Sequence, residues 1–136
     1  MLSNEYLAGL IDGEGCITIL KRPDGRFRPD LIITNTSTVL MNRLEVDVGG
    51  KAYRKAAHPG WKQGWGWTVV GGEAMRLIRE VRPHLVIKSQ QADVVLSVSR
   101  FYEPPTSKRR WAETEYAEAA AAYAAIRELN RRGKTN

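Results

Sequence analysis

Ten residues, Tyr6-Leu7-Ala8-Gly9-Leu10-Ile11-Asp12-Gly13-Glu14-Gly15, constrain this chain more than any other stretch. Ser3 or Asn4 can cap a helix that begins there. Tyr6, Leu7, Leu10 and Ile11 recur at three- and four-residue spacings and make one apolar stripe. Ala8, Gly9, Asp12 and Gly13 fall on other faces. A helical glycine costs about 1 kcal/mol relative to alanine, so two of them four residues apart need a reason. Close approach of a second helix is one, because backbones without Cβ atoms can nearly touch. The helix ends on two carboxylates separated by one glycine. Carboxylates there face the negative end of the helix dipole, which is unfavourable unless a cation is near. A hard divalent ion with oxygen ligands, such as magnesium, would resolve that conflict. A helix end with solvated acids would also fit the spacing, so the rest of the chain has to decide.

The segment resembles the signature of the LAGLIDADG homing endonucleases almost letter for letter, with Gly13-Glu14 standing where the family name has Ala-Asp. The resemblance implies that two copies of this helix pack side by side. One motif per chain then makes a homodimer, with Ala8, Gly9, Asp12 and Gly13 at the interface. It also implies that Glu14 and the backbone carbonyl of Gly13 hold Mg2+, with Mn2+ as an alternative and Ca2+ as a non-cleaving substitute. Asp12 takes a supporting catalytic role.

The periodicity beyond the first helix is consistent with that family. Residues 15–22 alternate as a strand, with Ile17 and Ile19 on one side and Thr18, Leu20 and Arg22 on the other. Pro23-Asp24-Gly25 is a turn. Residues 26–35 make a second strand, with Phe27, Leu31 and Ile33 facing inward and Arg26, Arg28, Asp30, Ile32 and Thr34 outward. Pro29 points to an edge or a bulge. A helix capped by Ser37 or Thr38 runs to Val48, buried through Leu40, Leu44 and Val48, and Gly49-Gly50 ends it. Strands over 51–56 and 64–70 follow, then a short helix over 73–81 stopped by Pro83 and a longer one over 88–102. Pro104-Pro105 breaks the chain before a basic turn at Lys108-Arg109-Arg110. A final helix over 112–131 carries Tyr116, Ala119, Ala120, Tyr123 and Ile126 on its stripe. The expected fold is α+β: an αββαββ core with additional C-terminal helices, in one domain spanning residues 1–136. In the family this is a curved antiparallel sheet that forms a saddle over DNA.

The strand faces supply a binding argument of their own. Antiparallel strands with one polar face can lie in a major groove. Arg22, Arg26 and Arg28 share the outer side of the first hairpin, while Lys51, Arg54, Lys55 and Lys62 gather on the second with Tyr53 among them. Arginine can read guanine bidentately, and both cations neutralise phosphates. Few acids compensate, Asp24 and Asp30 being the clear ones. Thr18, Leu20, Asp30, Ile32, Thr34 and Thr68 complete the expected DNA face, and Trp65 and Trp67 are assigned to the core. From the resemblance, Lys88 would stabilise charge at the cleaved phosphate and Asn35 would orient water.

A net charge of +6 and a pI near 9.7 suit a polyanionic partner. A lone cysteine, Cys16, excludes an internal disulfide and suits a reducing compartment, the prokaryotic cytoplasm or an organelle. No apolar run reaches the ~20 residues of a membrane helix, so no membrane partner is expected. With only His58 and His84, a histidine-based metal nuclease is disfavoured. The expectation is a site-specific, divalent-metal-dependent endonuclease that makes a double-strand break in a long pseudo-palindromic DNA target. Two alternatives use the same fold: an RNA maturase acting on intron RNA, and a DNA-binding regulator that does not cleave. Glu14 and Lys88 argue against the second.

Overall fold

A computed structural model describes residues 1–103 and 110–131. Its elements are α1 (Asn4–Glu14), β1 (Gly15–Lys21), β2 (Phe27–Asn35), α2 (Thr38–Asp47), β3 (Lys51–Arg54), β4 (Trp65–Val70), α3 (Gly71–Val81), α4 (Ser89–Leu96) and α5 (Glu113–Leu129), with short 3-10 turns at Arg82–His84 and Ser99–Tyr102. The expected αββαββ order is present, and the fold is α+β. Pro104-Pro105 and most of the basic turn after it lie outside the described residues, as does the chain beyond Arg131.

The two hairpins join through their inner strands into one four-stranded antiparallel sheet, ordered β1-β2-β4-β3. Alternation sends Ile17, Ile19, Leu31, Ile33, Trp67 and Val69 to the inner face, all buried. Helices supply the opposing core through Leu7, Ile11, Leu44, Met75, Ile78, Val95 and Ile126. Both tryptophans of β4 turn inward as expected. Trp67 is fully buried and donates its Nε1–H to the Gly49 carbonyl at 2.7 Å. The neighbouring glycine makes room for it, since a Cβ on Gly50 would come within 2.8 Å of that same nitrogen and 2.6 Å of the Thr68 carbonyl.

Turn chemistry explains the first hairpin. Gly25, at φ 85°, donates to the Arg22 carbonyl at 2.9 Å, and Asp24 accepts from the Arg26 amide. Pro29 lies in a central strand, but the ladder from β2 to β4 begins only at Asp30. At Pro29 the strand has one neighbour, so its missing N–H falls where β2 is locally an edge.

Some expectations shift. The helix expected over 88–102 is divided: α4 ends at Leu96 and a 3-10 turn begins at Ser99. At the break, Ser97 turns its hydroxyl back onto the Val94 carbonyl at 2.6 Å, a local bond that competes with helix continuation. In α2, Met41 joins Leu44 in the core while Leu40 and Val48 are only partly buried. β3 stops at Arg54 and not Ala56, although the Lys55 amide still pairs with the Gly64 carbonyl. In α1, Leu7, Ala8 and Ile11 are buried, whereas Tyr6 is 53% exposed. The helix is rotated by about one position from the expected stripe, because it seats on the sheet and α3 together. Ala8 is therefore a core residue. The face left open carries Tyr6, Gly9 and Gly13.

Candidate active site and nucleic-acid interface

α1 runs directly into β1, and Gly15 makes that junction possible. A Cβ at this position would come 2.8 Å from the Ile11 Cα, and the Gly15 amide caps the helix by donating to the Ile11 carbonyl. The last turn of α1 is thereby set beside the segment that opens α4.

Asp12 joins the two helices. Its carboxylate accepts from the amides of Val86 (2.8 Å), Ile87 (3.1 Å) and Lys88 (3.0 Å). Lys88, the residue that caps α4, makes no side-chain cap bond of its own, and Asp12 instead holds the three-residue segment that leads into the helix. Lys88 returns the contact: its Nζ donates to the Asp12 backbone carbonyl at 2.8 Å. The acid at the end of α1 thus meets the positive end of α4, and a lysine meets the negative end of α1. The electrostatic conflict read from the sequence is answered for Asp12 by protein groups, without a metal. The same bonds tie its carboxylate to its own chain.

Glu14 stands in a different position. It is exposed at the helix end, and its Oε2 accepts a short hydrogen bond from Asn35 Nδ2. Asn35 is fixed in turn by accepting from the Ser37 amide at 2.8 Å. A cleft of about 460 Å3 opens here, lined by Gly13, Glu14, Gly15, Cys16, Thr34, Lys88 and Asn130. Two of the four catalytic candidates, Glu14 and Lys88, line this cleft; Asn35 reaches it only through its bond to Glu14, and Asp12 holds the segment that carries Lys88.

Asn130 was missed by sequence reasoning. It comes from the end of α5, donates to the Ile17 carbonyl at 2.9 Å and accepts from Gln91. Nothing local in the sequence marks it, since its partners are distant in the chain, Ile17 on β1 and Gln91 on α4.

The donor set suits a hard cation with few protein ligands. Glu14 and Gly13 both line an open cleft, and nothing lies within 4 Å of where a Gly13 side chain would be. Magnesium keeps several waters or phosphate oxygens, so a sparse set is adequate for it. Among the described residues, no group of three or more His, Cys, Asp or Glu could hold a metal by itself.

The outer face of the sheet presents rows of side chains set by the register. Thr34, Gly66 and Tyr53 form one row, with the Tyr53 ring lying against Gly66 where a Cβ would clash. Cys16, Ile32, Thr68 and Lys51 form the next, followed by Thr18, Asp30 and Val70, then Leu20 with Arg28. Lys51, Tyr53 and Leu20 are exposed, while Thr18, Ile32, Thr34 and Thr68 are partly so. Two expected members depart from the pattern. Asp30 is only 3% exposed, flanked by Thr18 and Val70 and bound by Arg28, so it offers nothing to a ligand directly. Arg54 alternates to the opposite side from Lys51 and Tyr53, where it stacks over Trp65 and donates to Gln63.

Arg22, Arg26 and Arg28 line a second cleft of about 340 Å3 between the first hairpin, Gly71, Tyr102 and Trp111. Arg26 stacks over the Trp111 ring at 5.2 Å. Lys55 and Lys62 are exposed on the chain between β3 and β4. Among the described residues, no helix is long and apolar enough to cross a membrane.

With this arrangement in view, the fold can be assigned: it is that of the LAGLIDADG homing endonucleases. The homing endonuclease I-CvuI, in complex with its target in the presence of calcium, superposes with a TM-score of 0.72 at 24% identity, over 98% of this chain and 85% of that one. The archaeal intron-encoded homing endonuclease I-Vdi141I, complexed with DNA, gives 0.73 at 14% identity over 98% and 87%. The LAGLIDADG homing endonuclease I-GzeII, in complex with its DNA target, gives 0.73 at 14% identity, but this chain spans 96% of its own length and only 46% of that one. No family model matches the sequence, and no curated protein does.

Proposed function

We propose that this protein is a site-specific DNA endonuclease that works as a homodimer and makes a magnesium-dependent double-strand break in a pseudo-palindromic target. The observation that carries this reading is the end of α1. An exposed Glu14, oriented by Asn35, shares an open cleft with Lys88 beside the polar face of the sheet. Support also comes from the similar structures that contain DNA, one of them I-CvuI with magnesium and DNA not cleaved.

Glu14 and the Gly13 carbonyl would hold Mg2+, which when bound activates water and stabilises the leaving 3′ oxygen. The residues of the chain then have separate tasks. Asn35 holds the Glu14 carboxylate toward the cleft. Asp12 fixes the segment that carries Lys88. The Lys88 ammonium supplies positive charge beside the phosphate as negative charge develops there.

One chain provides one such cleft, and two strands must be cut. The open Gly9 and Gly13 face of α1 is where a second copy would pack, bringing two Glu14 residues together. That I-GzeII is about twice as long as the matching region supports the pairing. A two-fold protein presents the same hairpins to both half-sites, so its target is a near palindrome. Cleavage selection from a randomised DNA library in magnesium tests the reading. It should recover two-fold related sequences cut on both strands, whereas an uncut library would overturn it.

A further inference from the structure

The outer face of the sheet contains one buried charge. Asp30 is the only buried polar or charged side chain among the described residues, and it sits at the middle of the face proposed to meet DNA. A carboxylate this far from water is costly unless it is paired. Its partner is Arg28, two positions away on the same face of β2. Arg28 Nε donates to Oδ1 at 2.8 Å and Nη2 donates to Oδ2 at 3.0 Å. The hydrogen bond to Asp30 also raises the Arg28 pKa, which keeps the guanidinium charged.

A guanidinium offers two forks: a side-on pair, Nε and Nη2, and an end-on pair, Nη1 and Nη2. Asp30 occupies the first. No described residue takes a hydrogen bond from Nη1, and 31% of the Arg28 side chain remains accessible. What is left is a rigid pair of parallel N–H donors, which matches the O6 and N7 acceptors of guanine in the major groove. Phosphate is the weaker match, because phosphate binding draws on net charge and Asp30 already offsets that of Arg28. The rotamer freedom a long side chain loses on binding is already lost in the free protein.

We propose that Asp30 presets Arg28 to read one guanine in each half-site, making Asp30 a positioning residue for specificity and not itself a DNA contact. This rests on the DNA-binding reading above. The test is competition binding in calcium, comparing wild type, Asp30→Asn and Arg28→Lys on the selected target and on its single-pair variants across a salt series. In wild type, replacing that G·C pair in one half-site should weaken binding by about 10- to 100-fold, the usual value of a bidentate pair. Both variants should lose most of that discrimination at the same pair and keep it at other positions. Asp30→Asn should also steepen the salt dependence by roughly one per subunit, as the released guanidinium turns to a phosphate.

Arg28→Lys keeps the charge and removes the fork, so it decides the matter alone if Asp30→Asn melts too low to study. Uniform weakening at every position would make the pair merely structural and overturn the proposal, as would unchanged discrimination. If wild type itself shows no sequence preference, the endonuclease reading fails as well, which separates the two outcomes.

Discussion

The end of α1 and the outer face of the sheet adjoin one another but are built on opposite principles. At the helix end almost every polar group is engaged: Asp12 by three amides, Lys88 by a carbonyl, Asn35 by Glu14 and the Ser37 amide. On the sheet, Arg28 is tied down, but Lys51, Leu20 and Tyr53 project into solvent, as do Lys55 and Lys62 beyond its strands. A closed network positions a few atoms closely, which bond-breaking chemistry requires. An open face with spaced cations tolerates a long, varied polyanion, which target recognition requires. The difference implies that changes at the helix end should alter rate, and changes on the sheet should alter affinity or specificity.

The largest expected effect comes from touching neither region. Gly9→Leu places a side chain on the face where a second α1 would pack, so both half-sites are lost together. Light scattering should show a monomer, with target binding and cleavage gone. A mutant that still dimerised and cut would remove this face from the assembly.

Asp12→Ala would strip the acceptor from three amides and loosen the segment that carries Lys88, while leaving the backbone carbonyl that holds Lys88 Nζ. It should lower stability by about 1–2 kcal/mol, the scale of polar groups left without a partner, and slow cleavage strongly in whatever fraction remains folded. Thermal melts and single-turnover rates on the same preparation would separate the two effects. Lys88→Met removes one charge from beside the phosphate but no metal ligand. Cleavage should fall by roughly 100-fold with binding nearly unchanged, and an unaltered rate would return Lys88 to a purely structural contact with α1. Smallest of all, Lys55→Ala or Lys62→Ala should weaken all DNA sequences alike and reduce the salt slope by about one per contact per subunit. Loss of preference at one base pair would instead make that lysine a reader, and the division between the two regions would blur.

Much of this organisation is legible in the residues themselves. Period-two alternation with Pro23-Asp24-Gly25 between two runs announces the first hairpin, and the carboxylates at the end of α1 announce the candidate site. What escaped is what depends on packing across the chain. Apolar spacing in α1 fits a stripe through Tyr6 or one through Ala8, and only the docked sheet decides for Ala8. Asp30 resembles any outward acid in an alternating strand, since its burial comes from Arg28 and both neighbouring strands. Asn130 reaches the cleft only because α5 packs along β1. The break after Leu96 depends on a serine hydroxyl turning onto its own helix, which Ser97 could equally well have turned to solvent.

In the proposed endonuclease, Glu14 serves the chemistry and not the recognition. Binding and cleavage of one selected duplex by wild type and Glu14→Gln, measured in parallel in magnesium, test it most directly. Glu14→Gln should bind within a few-fold of wild type, because the shape of the helix end and the Asn35 contact can persist, while cleavage drops to background on both strands. Cutting at the wild-type rate by the purified mutant would contradict it.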